Sequence, residues 1–150
     1  MMPIYRHSYQ YQPIMVASEG QGLSLTNVLH SISDSKSLEL FCSIAKGSVD
    51  SEVLKGLNGL TRKQFYSRMS QLLKAGLIKR TKGIFSLTCL GAVVYYSQLV
   101  IEKGTSNYWK LKAIDTIKTS AQIGEHERTK LIKAILDDGK IENILITEKQ

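Results

Sequence analysis

From residue 53 to residue 101 the chain contains neither aspartate nor glutamate, a run of 49 residues. A solvated helical surface normally mixes both signs, because Glu–Lys pairs four apart stabilise it; the missing acids exclude that kind of surface here. Cysteine is scarce as well. Cys42 and Cys89 cannot build a disulfide framework, and neither they nor His7, His30 and His126 stand at CxxC or HxxxH spacing, so no metal site is expected. Cys89 opens a helix, where the dipole favours a thiolate, whereas Cys42 reads as a packing residue. Long apolar runs are absent: stretches such as 92–96 are far too short to span a bilayer. No basic region followed by an apolar run of signal type opens the chain. A soluble, cytoplasmic protein without membrane association is expected. There is no GxxxxGK[ST] loop, no GxSxG elbow and no carboxylate cluster, so neither catalysis nor a cofactor is expected.

What the acid-free stretch does contain is cations: Lys55, Arg62, Lys63, Arg68, Lys74, Lys79, Arg80 and Lys82. The rest of the chain carries 12 basic and 13 acidic residues, so the net +7 belongs to this one segment. A one-signed patch attracts a polyanion, and phosphate backbones are the commonest one in a cell; the alternative is a solvated basic surface with no ligand.

Along the chain, residues 1–32 read as a flexible N-terminal arm rich in Tyr, Gln, Ser and Gly, most simply an idle tail, although Tyr5, Tyr9, Tyr11 and Arg6 could stack or insert into a groove. Within it, 25–32 form a short helix or strand packed on the core. Ser33-Asp34-Ser35 supplies an N-cap for a helix carrying Leu38, Phe41, Ile44 and Ala45, ended by Gly47. A second helix, 50–57, puts Val53, Leu54 and Leu57 on one face, and Asn58-Gly59 turns the chain. Thr61 caps the third helix, 61–74. Its apolar side is Phe65, Met69, Leu72 and Leu73, and Ala75-Gly76 stops it. Lys63, Ser67, Ser70 and Lys74 share the opposite arc, flanked by Arg62, Tyr66 and Arg68. The period then changes to 2. Residues 77–81 and 84–87 read as two strands joined by a tight Lys82-Gly83 turn. Thr88 caps a further helix to about residue 102, with Val93, Val94, Tyr96, Leu99 and Val100 as its apolar surface; 104–107 break it.

Helix, short helix, capped basic helix, two-strand ribbon and capped helix resemble a winged helix-turn-helix. The run LLKAGLIKRTKGIFSLTCLG, residues 72–91, is similar to that family's Leu, Gly-Leu-Ile, basic strand and Leu-Thr-x-x-Gly pattern. The chain most resembles the archaeal winged-helix transcriptional regulators, including the archaellum-regulator-like group, over residues 34–103. The resemblance implies a mainly α fold with a small β-ribbon: a DNA-binding domain at 33–104 and a small C-terminal helical domain at 105–150. It also implies double-stranded DNA as partner. Arg62, Lys63, Tyr66, Ser67 and Ser70 would face base edges and nearby phosphates in the major groove, while Arg68 and Lys74 clamp the backbone. The turn between the strands is shorter than in many relatives, which points Lys79, Arg80 and Lys82 to backbone contact and not to deep minor-groove insertion.

In the C-terminal piece, Trp109, Ala113, Ile114 and Ile117 read as one amphipathic helix. Leu131, Ile132, Ile135 and Leu136 belong to a second, 125–138, and Ile141, Ile144 and Ile146 to a last turn or strand. It is loosely similar to small domains that follow winged helices or signalling modules in ammonia-oxidising archaea. Dimerisation, protein docking, output and completion of the core all suit it. A homodimer would form through this unit or through the apolar helix at 92–101. The alternative to a DNA-binding regulator is a non-catalytic winged-helix adaptor that docks an acidic protein partner.

Overall fold

The structure, a computed structural model, describes residues 23–47, 49–57 and 59–147. Those residues form eight helices and a small antiparallel sheet, a mainly α architecture with a minor β component. The arm residues Tyr5, Arg6, Tyr9 and Tyr11, together with His7 and Asn58, lie outside the described residues.

The first structural unit begins inside the stretch assigned to the arm. α1 (Leu25–Ser31) is capped by Ser24, whose hydroxyl accepts from the Asn27 N–H at 3.1 Å, and Val28 turns into the core. In α2 (Ser35–Ala45), Asp34 caps two N–H groups through Oδ1, those of Lys36 at 3.1 Å and Ser37 at 3.0 Å. Leu40, Phe41 and Ile44 are its buried face. β1 (Val49–Asp50), which no sequence signal announced, leads into α3 (Ser51–Leu57). There Leu54 is buried, but Val53 is 54 % exposed and leaves the face expected for it. A seven-residue helix has room for one inward arc, and Leu54 takes it.

α4 (Arg62–Lys74) buries Phe65, Met69 and Leu72 and leaves Leu73 at the rim. Thr61 and Gln64 close a reciprocal capping box at its start, which satisfies two otherwise free donors. At its end Gly76, at φ 71°, lets the Leu77 N–H reach the Leu72 carbonyl (3.1 Å) while its own N–H reaches Leu73 (3.0 Å), a Schellman stop. β2 (Ile78–Thr81) and β3 (Ile84–Leu87) then pair with Lys79 opposite Ser86 and Arg80 opposite Phe85. Lys82 (φ 51°) and Gly83 (φ 81°) are both left-handed, as a two-residue primed turn requires. β1 joins on the far side of β3, giving the order β1-β3-β2.

Thr88 opens α5 (Cys89–Ser106) by accepting from the Gly91 N–H at 2.9 Å. The expected break at 104–107 narrows to Asn107 alone. The helix passes through Gly104 because the hydroxyls of Thr105 and Ser106 donate to the Glu102 carbonyl and the Asn107 amide donates to Lys103. Leu90, Val94 and Tyr95 pack on the first core, with Tyr95 edge-on to Phe41 at 6.3 Å.

α6 (Tyr108–Thr119), α7 (Glu125–Ile135) and α8 (Gly139–Thr147) enclose a second core of Ile114, Ile132, Leu136 and Ile141. Two expectations are corrected here. Residues 141–146 are helical, started by Asp138 accepting from the N–H groups of Lys140 and Ile141. On α6, Trp109 (76 % exposed) and Ala113 face solvent, and Leu111 joins Ile114 inside. Lys103 reaches across to Asp138 at 2.5 Å, tying α5 to the start of α8.

Gly91 is the most closely approached of the described glycines. A Cβ there would lie 1.9 Å from the Leu77 carbonyl oxygen, a backbone atom that cannot step aside. Gly91→Ala is therefore expected to cost about 3 kcal/mol or more through overpacking. Gly47→Ala, where a Cβ meets nothing within 4 Å, should stay within about 0.5 kcal/mol. Urea denaturation of the two variants checks the contrast.

Candidate functional site

Most of the predicted residues of α4 fall on its solvent-facing side. Arg62, Lys63, Tyr66, Ser67 and Lys74 are exposed; Ser70 and Arg68 are half-buried. Five of the seven, Arg62, Lys63, Tyr66, Ser67 and Arg68, sit within the first two turns of a helix whose start is held by its capping box. The N-terminal end of a helix also carries partial positive charge, which adds to the cations there.

Two of the eight cations are already matched, by acids that lie outside the acid-free stretch in sequence. Arg68 directs Nε and Nη2 at Asp34 Oδ1, each at 3.3 Å, joining α4 to the N-cap of α2. Lys55 donates to Glu52 at 2.9 Å within α3. Among the described residues, Arg62, Lys63, Lys74, Lys79, Arg80 and Lys82 have no carboxylate within ion-pair reach.

Tyr66 stands between two of the cations. The Lys55 ammonium lies 4.8 Å from its ring centre and the Arg62 guanidinium 6.0 Å. The hydrogen bond with Lys55, reinforced by that residue's charge, lowers the phenol's pKa below its ordinary value. The contact holds the ring edge-on to Phe65 at 5.5 Å, so an exposed aromatic is given a fixed direction.

The hairpin adds three cations in two different settings. Alternation puts Lys79, opposite Ser86, on one face and Arg80, opposite Phe85, on the other. Arg80 lies over the Phe85 ring at 5.3 Å and covers the edge of the core, while Lys82 projects from the turn itself. The exposed Ile84 beside it was not anticipated. Only its place at the hairpin tip explains an apolar residue in water.

Among the described residues no group of three His, Cys, Asp or Glu side chains could hold a metal ion, and His30 and His126 are separately exposed. Cys42 is half-buried, its thiol donating to the Gln98 carbonyl oxygen at 3.6 Å; burial pushes its pKa up. No described helix is long and apolar enough to cross a membrane. No protein-family model, curated protein or solved structure matches the chain.

Asp34 was read from sequence only as a cap, yet it holds α2 and α4 together. Its carboxyl is pulled below the usual range first by the Ser37 hydroxyl, with the Ser37 N–H and Arg68 adding to the effect. A depressed folded-state pKa contributes stability that is complete above the unfolded value near 4 and is lost as pH falls through the folded one. Asp34→Ala is expected to cost about 1–2 kcal/mol at neutral pH. The gap from wild type should shrink below pH about 4, read by urea denaturation at the two pH values.

Proposed function

We propose that the protein is a DNA-binding transcriptional regulator of winged helix-turn-helix type. In this reading α2, β1, α3, α4, β2, β3 and α5 are the domain, residues 33–104, with the strand order β1-β3-β2. α4 enters the major groove and the β2–β3 hairpin rests on the phosphate backbone. The observation that carries the reading is the set of six cations without acidic partners, divided between the exposed side of α4 and the hairpin. A protein surface retains unneutralised charge of one sign at an energetic cost, and a polyanion removes it.

The roles divide by setting. Arg62, Lys63, Tyr66 and Ser67 occupy the first turns of α4, the part of a recognition helix that meets base edges. An Arg or Lys bonding guanine O6 and N7 would contribute about 1–3 kcal/mol of discrimination. Ser70 and Lys74 lie farther along and serve nearby phosphates. Arg68, bound to Asp34, supports the helix from its flank and does not reach out as a free clamp. Lys79 and Lys82 contact the backbone, and the two-residue turn gives the ribbon no length for deep insertion.

Lys74, Lys79 and Lys82 on phosphates would give log affinity against log salt a slope of about −3, and all six cations about −5, a loss between about 40-fold and about 10³ from 50 to 200 mM salt. Fluorescence anisotropy with a random duplex measures it. Lys63→Glu with Ser67→Glu should abolish binding while leaving stability within about 0.5 kcal/mol. Unchanged affinity in that double variant would remove α4 from the interface. No binding by wild type at low salt would favour the adaptor that docks an acidic protein.

A further inference from the structure

Residues 83–101 contain no charged side chain of either sign, yet much of α5 within that stretch is open to solvent. Val93, Tyr96 and Ile101 are 64 %, 61 % and 63 % exposed. On one side a groove of about 540 Å³ separates α5 from α1, whose Leu25 and Leu29 form the opposite rim at 60 % and 50 % exposure. On the other side a second groove of about 430 Å³ reaches Lys140 of α8. Val93 and Ser97 line both, so they form a crest between two hollows.

The chemistry of the larger groove narrows its occupant. Its polar side chains are already engaged within the chain: Ser24 caps α1, Ser97 donates to the Val93 carbonyl at 2.8 Å, and Gln98 bonds Cys42 and Glu102. A small-molecule site uses a few free polar groups to orient its ligand, and this groove offers only groups that already bond within the chain, set among Leu, Val and Ile side chains. Ser97 also leaves the middle of the crest low, which allows close approach of another helix, and brings no unsatisfied hydroxyl with it.

We propose that this crest is a two-fold interface with a second copy of the chain, each α5 seated in the α1–α5 groove of its partner. An isologous contact requires one patch to be its own complement, and a ridge flanked by hollows meets that condition. Each copy carries a net charge of +7, so copies approach best where charge is sparse; the larger groove has no charged lining residue, and the smaller one has only Lys140, at its rim over the Tyr96 ring. An 18-residue helix runs about 27 Å, long enough to continue such a contact past a few side chains. Contiguous exposed apolar surface of this kind marks an interaction site.

The proposal does not depend on DNA binding, and its test contains no DNA. Sedimentation equilibrium of the full chain across a concentration series should give twice the 16.8 kDa of one copy. Val93→Glu with Ile101→Glu alters only exposed positions, which circular dichroism verifies, and should raise the dissociation constant at least about 100-fold. Trp109→Glu, equally exposed on α6, should leave the dimer intact. A wild type that stays monomeric throughout overturns the proposal and leaves the groove to residues 1–22 or an unlike partner. A dimer that survives the α5 charges but is broken by Trp109→Glu overturns it as well.

Discussion

One carbonyl group, that of Leu77, fixes how the hairpin sits relative to α4. It accepts from the Thr88 N–H at 3.1 Å, the Thr88 hydroxyl lies 3.2 Å away, and the α-carbon of Gly91 passes so close that no side chain fits between. The same hydroxyl donates to the Gly76 carbonyl at 2.5 Å and accepts from the Gly91 N–H, so one side chain serves the end of α4 and the start of α5 together. Buried backbone groups must be paired, and here the pairing closes a ring through the Schellman turn, both hairpin strands and the entry to α5. The hairpin cations are thus held in a constant relation to the α4 cations. A two-part surface needs that relation to meet a single rigid ligand.

The charge distribution was legible in part. The composition of residues 53–82 located the basic surface, and helical spacing put Lys63, Ser67 and Lys74 on one arc of α4, where the structure has them exposed. What spacing could not show is that Asp34 and Glu52, both before the acid-free stretch, fold onto it and neutralise Arg68 and Lys55. Glu52 stands three residues from Lys55, so a local pair could have been anticipated. Asp34 and Arg68 are 34 residues apart, and only the tertiary fold, which brings the N-cap of α2 beside α4, joins them. Pairing by sequence distance undercounts such contacts because tertiary structure is indifferent to it.

The fold divides along the same line. α4, the hairpin turn and the start of α5 carry local chemical signals: a hydroxyl cap, a glycine at the stop, a Lys-Gly turn and a threonine before the next helix. Each of these appears where its residues predict. β1 has no such signal, since two residues show no periodicity, and it exists because Val49 and Asp50 meet Phe85 and Ile84 on a strand formed far later in the chain. On α6 the apolar residues outnumber the positions that can face inward. Spacing alone admitted Trp109 and Ala113, and the partner helices selected Leu111 and Ile114. Gly104 was read as a breaker from its intrinsic cost in a helix, about 1 kcal/mol against alanine. Three polar side chains closing carbonyls in the last turn offset it.

The acid-free stretch is therefore two surfaces, not one. Up to Lys82 it is basic; from Gly83 onward it carries no charge at all. The division falls at the hairpin turn, so the cations belong to α4 and the ribbon while the neutral part supplies β3 and the length of α5 to Ile101. Excluding acids serves each part for a different reason. Next to the α4 cations a carboxylate would cancel the attraction for phosphate, as Asp34 already does for Arg68. On α5 a charge of either sign would have to be desolvated when the face is covered, at a cost that apolar contact alone does not return. If both proposals hold, a single compositional feature meets two opposite demands on water: one face exchanges its counterions for a polyanion, and the other gains stability when water leaves.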